Sequence, residues 1–245
     1  MRLLDAIAPT EADQVYFLGD LIDRGPGSAQ VLQFVQSSGY TSLLGNHEQL
    51  LLDSFPNGQR HDPAFHAWLY SGGQSTLASY EDLRVLSGQL EWLRTLPTHL
   101  DLGNIWLAHA GVHPGLPIEE QTAQEFCWIR DPFHSCTRPY FADKLILTGH
   151  TITFTFPNVP PGSVVKGTGW LDIDTGAYHP KSGWLSALEI TTNARLTDQI
   201  LAEQTMYQVN VFKQKRRSCS LGELMVPVGP HQVRQRRRQL TKMSL

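Results

Sequence analysis

Gly19-Asp20-Leu21-Ile22-Asp23-Arg24-Gly25 follows the apolar run Val15-Tyr16-Phe17-Leu18. A second stretch of the same design follows one βα unit later, where Thr41-Ser42-Leu43-Leu44 leads into Gly45-Asn46-His47-Glu48. A short apolar run closed by glycine reads as a buried strand ending in a turn. The residues at its tip enter the crevice at the carboxyl edge of a sheet, where the ligands of α/β proteins collect. Between the two strands, Ser28 to Gln36 carries Val31, Leu32, Phe34 and Val35 on one helical face. Ser28 is placed to cap that helix and Gly39 to end it. Strand, helix and strand in that order predict a βαβ crossover, and hence a parallel pair.

Two more apolar tetrads end on histidine. Ile105-Trp106-Leu107-Ala108 delivers His109, and Leu145-Ile146-Leu147-Thr148 delivers Gly149-His150. Four strand ends therefore supply Asp20, Asn46, His109 and His150, a mixed oxygen and nitrogen set. Such a set suits Mn, Fe or Zn better than Ca, which takes oxygen alone. His61, His66, His99, His113, His134, His179 and His231 fall in no comparable pattern and read as packed or surface histidines.

Together these motifs resemble the ligand set of the calcineurin-like metallophosphoesterases, closest to the branch of bacterial serine/threonine protein phosphatases and diadenosine tetraphosphatases. The resemblance implies an α/β fold, a sandwich of two mixed β-sheets flanked by helices. It implies that Asp20, Asn46, His109 and His150 are metal ligands, with Mn the expected ion and Fe or Zn the alternatives. It assigns His47 as general acid on the leaving oxygen, oriented by Asp23, with Arg24 and Arg130 (in Trp128-Ile129-Arg130) binding the phosphoryl oxygens. Glu48 takes a structural role. The run Trp68-Leu69-Tyr70-Ser71-Gly72-Gly73-Gln74-Ser75-Thr76-Leu77-Ala78-Ser79-Tyr80 and the later Ile173-Asp174-Thr175-Gly176-Ala177 also resemble family segments. Gly72-Gly73 reads as a loop hinge without a catalytic role. Asp172 and Asp174 read as structural residues of a half-solvated strand. The likeness runs over roughly residues 3 to 192.

The family's opening Asp-x-His, which supplies the other metal of a two-metal centre, has no counterpart ahead of Asp20. Met1 to Ile7 resembles the end of the helix that follows it, so the first strand is expected to be missing. One metal site is supported and the second lacks ligands. Three readings stand: a start displaced from the native one, a one-metal enzyme, or a non-catalytic binding module with a decayed site.

The domain is expected over residues 1 to 204, with a basic, disordered tail from 205 to 245. The 33 residues from Lys213 carry a formal charge of +8 against -11 for the remainder. Clustered cations of this kind suit RNA or acidic lipid, yet Lys213 to Leu245 holds no aromatic residue to stack on bases, and a solvated tail is the expectation. Three cysteines without a CxxC pair point to a reducing cytoplasm. The absence of an apolar run long enough to span a bilayer predicts no membrane partner. Pro157 to Gly169 reads as a surface loop, Val85 to Leu96 as an amphipathic helix, and Gly183 to Ile190 as a last alternating strand. The expected activity is hydrolysis of a phosphate monoester, with a phosphorylated protein as first substrate and diadenosine tetraphosphate or another small phosphoester as the alternative.

Overall fold

In a computed structural model that describes residues 2–190, 198–230 and 232–233, the chain opens with helix α1 (Arg2–Ile7). It divides into two units, residues 11–100 and residues 1–10 with 101–245. No helix of the described residues is long and apolar enough to cross a membrane.

The unit of residues 11–100 is built from the expected crossover. Strand β1 (Tyr16–Phe17) pairs in parallel with β2 (Thr41–Ser42), through Thr41 N to Val15 O at 3.2 Å and Leu43 N to Phe17 O at 2.9 Å. The linking helix α2 (Ser28–Ser38) buries Leu32 and Val35 and ends at Gly39, whose φ of +75° is the left-handed stop that glycine adopts without strain. Helix α3 (Asn46–Ser54) starts directly at the second motif. After it come α4 (Asp62–Trp68), a π-helical turn over Leu69–Gly73, α5 (Gln74–Ala78) and α6 (Leu83–Leu93). Their apolar faces close one core of Ile22, Leu32, Leu51, Trp68, Leu86, Leu90 and Leu93. That core lies directly beneath the Asp20–Gly25 loop through Ile22. Its burial therefore anchors the loop that carries the polar residues.

The chain passes between the units at β3 (His99–Asp101). In the second unit come β4 (Ile105–Ala108), α7 (Ala123–Trp128), α8 (Asp131–His134), β5 (Leu145–Thr148), β6 (Val164–Gly167), β7 (Trp170–Asp172) and β8 (Trp184–Glu189). Beyond the undescribed residues 191–197 lie α9 (Asp198–Glu203), β9 (Thr205–Asn210), β10 (Arg216–Ser220), α10 (Leu221–Leu224) and β11 (Met225–Pro227). Strands β11, β6, β7, β5 and β4 lie in that order, parallel except between β6 and β7. β8, β9 and β10 form a separate antiparallel sheet against which α1 packs. The fold is α/β with a mixed sheet, as the motifs imply, although this second sheet is wholly antiparallel.

Three local expectations change. Val164–Gly167, inside the run read as surface loop, is strand β6, with Val164 and Val165 fully buried. Asp172 is fully buried at the end of β7 instead of half solvated, because strands cover it on both sides. Finally, Thr205–Pro227 is folded and not a disordered tail. Gln208 and Asn210 are buried within it, and Arg217 stacks 4.3 Å over the Trp184 ring while bonding Gln208 Oε1 at 2.7 Å. The first basic cluster is thus in part committed to the sheet; the second, Arg234 to Arg238, lies outside the described residues.

Candidate functional site

Residues 11–100 carry five of the eight candidate side chains. The loop after β1 is contorted: Gly19 has φ +90°, Asp20 +55°, Asp23 +73° and Arg24 +61°. Positive φ costs a non-glycine residue of order 1 kcal/mol or more, and such strain persists only where the surroundings impose it. At Arg24 the chain makes a tight three-residue turn, Gly25 N donating to Asp23 O at 2.5 Å, in the rarer hand of the γ-turn.

What imposes this shape is Glu48. Its buried carboxylate accepts four backbone N–H groups, from Leu21 (2.7 Å) and Ile22 (3.2 Å) at Oε1 and from Asp20 (2.8 Å) and Gly45 (2.9 Å) at Oε2. Burial pushes its pKa up to about 7, with help from the charge of Asp20; the N–H donors oppose that rise. Gly45 admits this approach because a Cβ there would stand 2.4 Å from Asp20 Oδ1 and 2.6 Å from Glu48 Oε2. Asp20 Oδ1 in turn accepts the His47 N–H at 3.2 Å, which fixes its carboxylate beside Asn46 at the start of α3.

Asp23 and His47 form a buried pair, Oδ2 to Nδ1 at 2.6 Å. The bond sets the imidazole tautomer: with Nδ1–H given to Asp23, Nε2 is the atom left to carry or release a proton. Burial lowers the His47 pKa, but the bond to Asp23 and the charge of Asp20 outweigh it and the net direction is upward. The Asp23 carboxylate also accepts from Thr76 Oγ1 (2.6 Å) and from Trp68 Nε1 (3.1 Å to each oxygen). Arg24 is exposed, and its N–H donates to Gly72 O at 3.3 Å. Gly72 has φ +120°, and a Cβ there would come 2.9 Å from Arg24 Cγ. The Gly72-Gly73 pair is therefore a backing for Arg24 in a π-helical turn, and the hinge reading is replaced.

The second unit carries the other three. His109, at the tip of β4, and His150, just past β5, are both buried, with His109 Nε2 and His150 Nδ1 3.2 Å apart. Gly149 N donates to His109 O at 2.9 Å, locking the two strand ends together. His150, with φ +67°, is the centre of another tight turn, Thr151 N to Gly149 O at 2.7 Å. Exposed Arg130, the residue ahead of α8, donates to Thr151 Oγ1 at 2.9 Å and to His150 O at 3.3 Å. Gly111 lets the loop after His109 pass against Phe133, where a Cβ would stand 2.4 Å from the ring.

The donor chemistry fits a metal. Two imidazole nitrogens each about 2.0–2.1 Å from one ion stand roughly 3.2 Å apart when the angle between them is near 100°, and that is the separation His109 and His150 hold. Among the unassigned histidines, His134 is a packed one, enclosed by Phe133, Phe156 and Trp170. Missed at the sequence level were Trp68 and Thr76. The only signal for them was their place in the segment around Gly72.

A family model described as calcineurin-like phosphoesterase matches residues 1–174. Among curated proteins, the symmetrical bis(5'-nucleosyl)-tetraphosphatase of Aromatoleum aromaticum is 35% identical over 119 residues, covering 46% of this chain and 38% of that protein. Serine/threonine-protein phosphatase 1 of Salmonella typhimurium is 33% identical over 99 residues, covering 38% of this chain and 44% of that protein. The match spans less than half the length of each of these relatives. Among solved structures, a protein provisionally assigned as a diadenosine tetraphosphatase superposes with a TM-score of 0.53 at 17% identity. It covers 89% of this chain and 86% of its own, a likeness of fold.

Proposed function

The chain belongs to the calcineurin-like phosphoesterase family, and from that premise we propose that it hydrolyses phosphate monoesters, with a phosphorylated serine or threonine side chain as the first substrate class. Proteins of this family use divalent metals. We assign Asp20, Asn46, His109 and His150 to one such ion, with Mn first and Fe or Zn as alternatives by donor type. An ion held there supplies Lewis-acid polarisation and an acidified water.

The chain's own residues do the rest. Arg24 and Arg130, both exposed guanidinium groups, bind the phosphoryl oxygens, where their forks match the geometry of the anion. The backbone hold on Arg24 and the Thr151 bond on Arg130 limit what each side chain must order on binding. His47 keeps its proton on Nε2 and delivers it to the departing oxygen, while Asp23 balances the charge of the imidazolium beforehand. Such acid catalysis typically contributes about 10²–10⁴-fold.

The 2.6 Å Asp23–His47 pair carries this reading. A serine or threonine alkoxide is a far poorer leaving group than a nucleotide phosphate, so a buried, charge-supported acid is most useful on a monoester. A second reading, hydrolysis of dinucleoside tetraphosphates, is favoured by the similarity to the Aromatoleum tetraphosphatase. Three cysteines without a CxxC pair are consistent with a reducing, cytoplasmic setting.

Turnover of p-nitrophenyl phosphate, a phosphothreonine peptide and diadenosine tetraphosphate, measured over a Mn²⁺ titration with Asp20→Asn as control, tests the proposal. Metal-dependent turnover of the peptide, lost in the variant, supports the first reading. Preference for the dinucleotide supports the second, and a folded chain inert to all three counts against both.

A further inference from the structure

The pair formed by Asp23 and His47 is held from outside by side chains 45 and 53 residues away in sequence. Thr76 grips Asp23 at both ends. Its Oγ1 donates to Asp23 Oδ1 at 2.6 Å and accepts the Asp23 backbone N–H at 2.9 Å. Ser28 Oγ lies 3.1 Å from both Asp23 N and Thr76 Oγ1, closing a ring of three residues. From the other side, Trp68 Nε1 sits 3.1 Å from each carboxylate oxygen. Trp68, Thr76 and Ser28 are all buried, so these bonds do not compete with water.

A buried carboxylate that accepts several hydrogen bonds is both charged and fixed in orientation. Asp23, at φ +73°, has its carboxylate held in this way by Thr76 and Trp68. Ser79 extends the brace: its Oγ accepts the Ala29 N–H at 3.0 Å and donates to Thr76 O at 2.6 Å. Trp68 closes α4, Thr76 lies in α5, and the π-helical turn between them brings both side chains to one carboxylate.

We propose that Trp68 and Thr76 are positioning residues for the leaving-group acid: they hold Asp23 so that His47 Nε2 faces the departing oxygen, and they act through Asp23 without touching substrate. The inference rests on the monoester reading above and adds residues that no motif ligand or phosphate contact includes.

The test compares wild type with Thr76→Val, Thr76→Ser and Trp68→Phe on two phosphate esters. Phenyl phosphate needs proton donation to its leaving group, whereas 2,4-dinitrophenyl phosphate does not. Thr76→Val and Trp68→Phe are expected to lower kcat on phenyl phosphate at least tenfold, leaving kcat on the dinitrophenyl ester and both KM values within twofold of wild type. Thr76→Ser, which keeps the hydroxyl, is expected to behave as wild type. Equal losses on both esters, or no loss on either, would overturn the proposal.

A second readout does not depend on turnover. The proton on His47 Nδ1, assigned with His47→Gln, is expected as a low-field resonance shielded from solvent exchange in wild type and Thr76→Ser. In Thr76→Val and Trp68→Phe it should exchange at least tenfold faster. An unchanged resonance overturns the proposal even if the chain hydrolyses neither ester, a result that would by itself sink only the monoester reading. If Thr76→Val fails to fold, Trp68→Phe decides by the same criteria.

Discussion

Glu48 shows at the scale of one residue how the site is held in a strained shape. Its two oxygens are filled by four backbone donors, and the loop they gather presents Asp20, Asp23 and Arg24 at positive φ. Glu48→Gln replaces one acceptor by a donor facing two N–H groups. Leaving buried donors unsatisfied costs about 1–3 kcal/mol, and a fall of that size in unfolding free energy, read by urea denaturation, is the expected outcome. The pH dependence has a definite sign. With the folded pKa raised to about 7 from 4.5, the native state binds the proton more tightly than the unfolded chain. Glu48 therefore favours folding most below about pH 4.5 and progressively less up to about pH 7. In metal-free buffer, wild type should lose stability across that window, and Glu48→Gln should lack this part of the slope. A parallel slope in both proteins would refute the assignment. At His47, replacement by Asn should reduce turnover of an alkyl phosphate by about 10²–10⁴-fold, the range of general acid catalysis, as steady-state kcat will show.

Among the elements, the segment from α4 to α5 is the least expected in its role. A π-helical turn with glycine at φ +120° passes its carbonyl to Arg24 N and leaves room for the Arg24 side chain. Gly72→Ala faces two obstacles, a Cβ 2.9 Å from Arg24 Cγ and a backbone conformation that L residues rarely adopt. Strain of about 1–3 kcal/mol should appear as lost stability or as displacement of Arg24. The measurable consequence is a several-fold rise in the inhibition constant of inorganic phosphate, with the leaving-group preference unchanged. The two tight turns at Arg24 and His150 show one device used twice. In each, a hydrogen bond across three residues goes with positive φ at a candidate site residue. Secondary structure in the usual sense contributes little here, since β1 and β2 are two residues each. What counts is where each strand stops.

For the whole molecule, the assignment of Asp20, Asn46, His109 and His150 to one ion makes a stoichiometric prediction. Elemental analysis after dialysis against Mn²⁺ should find one tightly held ion per chain. Removing it with a chelator should abolish turnover, with recovery on readdition. Asp20→Asn and His109→Ala should each bring the count toward zero. A count of two would mean that residues outside these four bind metal.

The strand ends, the helix α2 with its Gly39 stop and the candidate residues quoted with those ends were legible in the sequence because each depends on neighbours close in the chain. An apolar tetrad buries itself, a glycine ends it, and the residue that follows is left at the sheet edge. The family likeness then attached roles to those positions, and it alone marked Arg130. The supports of those positions were decided only in the tertiary structure. Trp68 and Thr76 reach Asp23 across 45 and 53 residues, and Glu48 reaches Asp20 across 28. A hydrogen bond between distant residues imposes no periodicity on either partner, so pattern reading passes over it. The same reason explains β6 and the segment Thr205–Pro227: their glycine, proline and basic residues argue for loop and tail by composition, while burial is conferred by the strands beside them. Local sequence thus determined which candidate atoms stand at the strand ends. The packing of remote segments decided how firmly they are held.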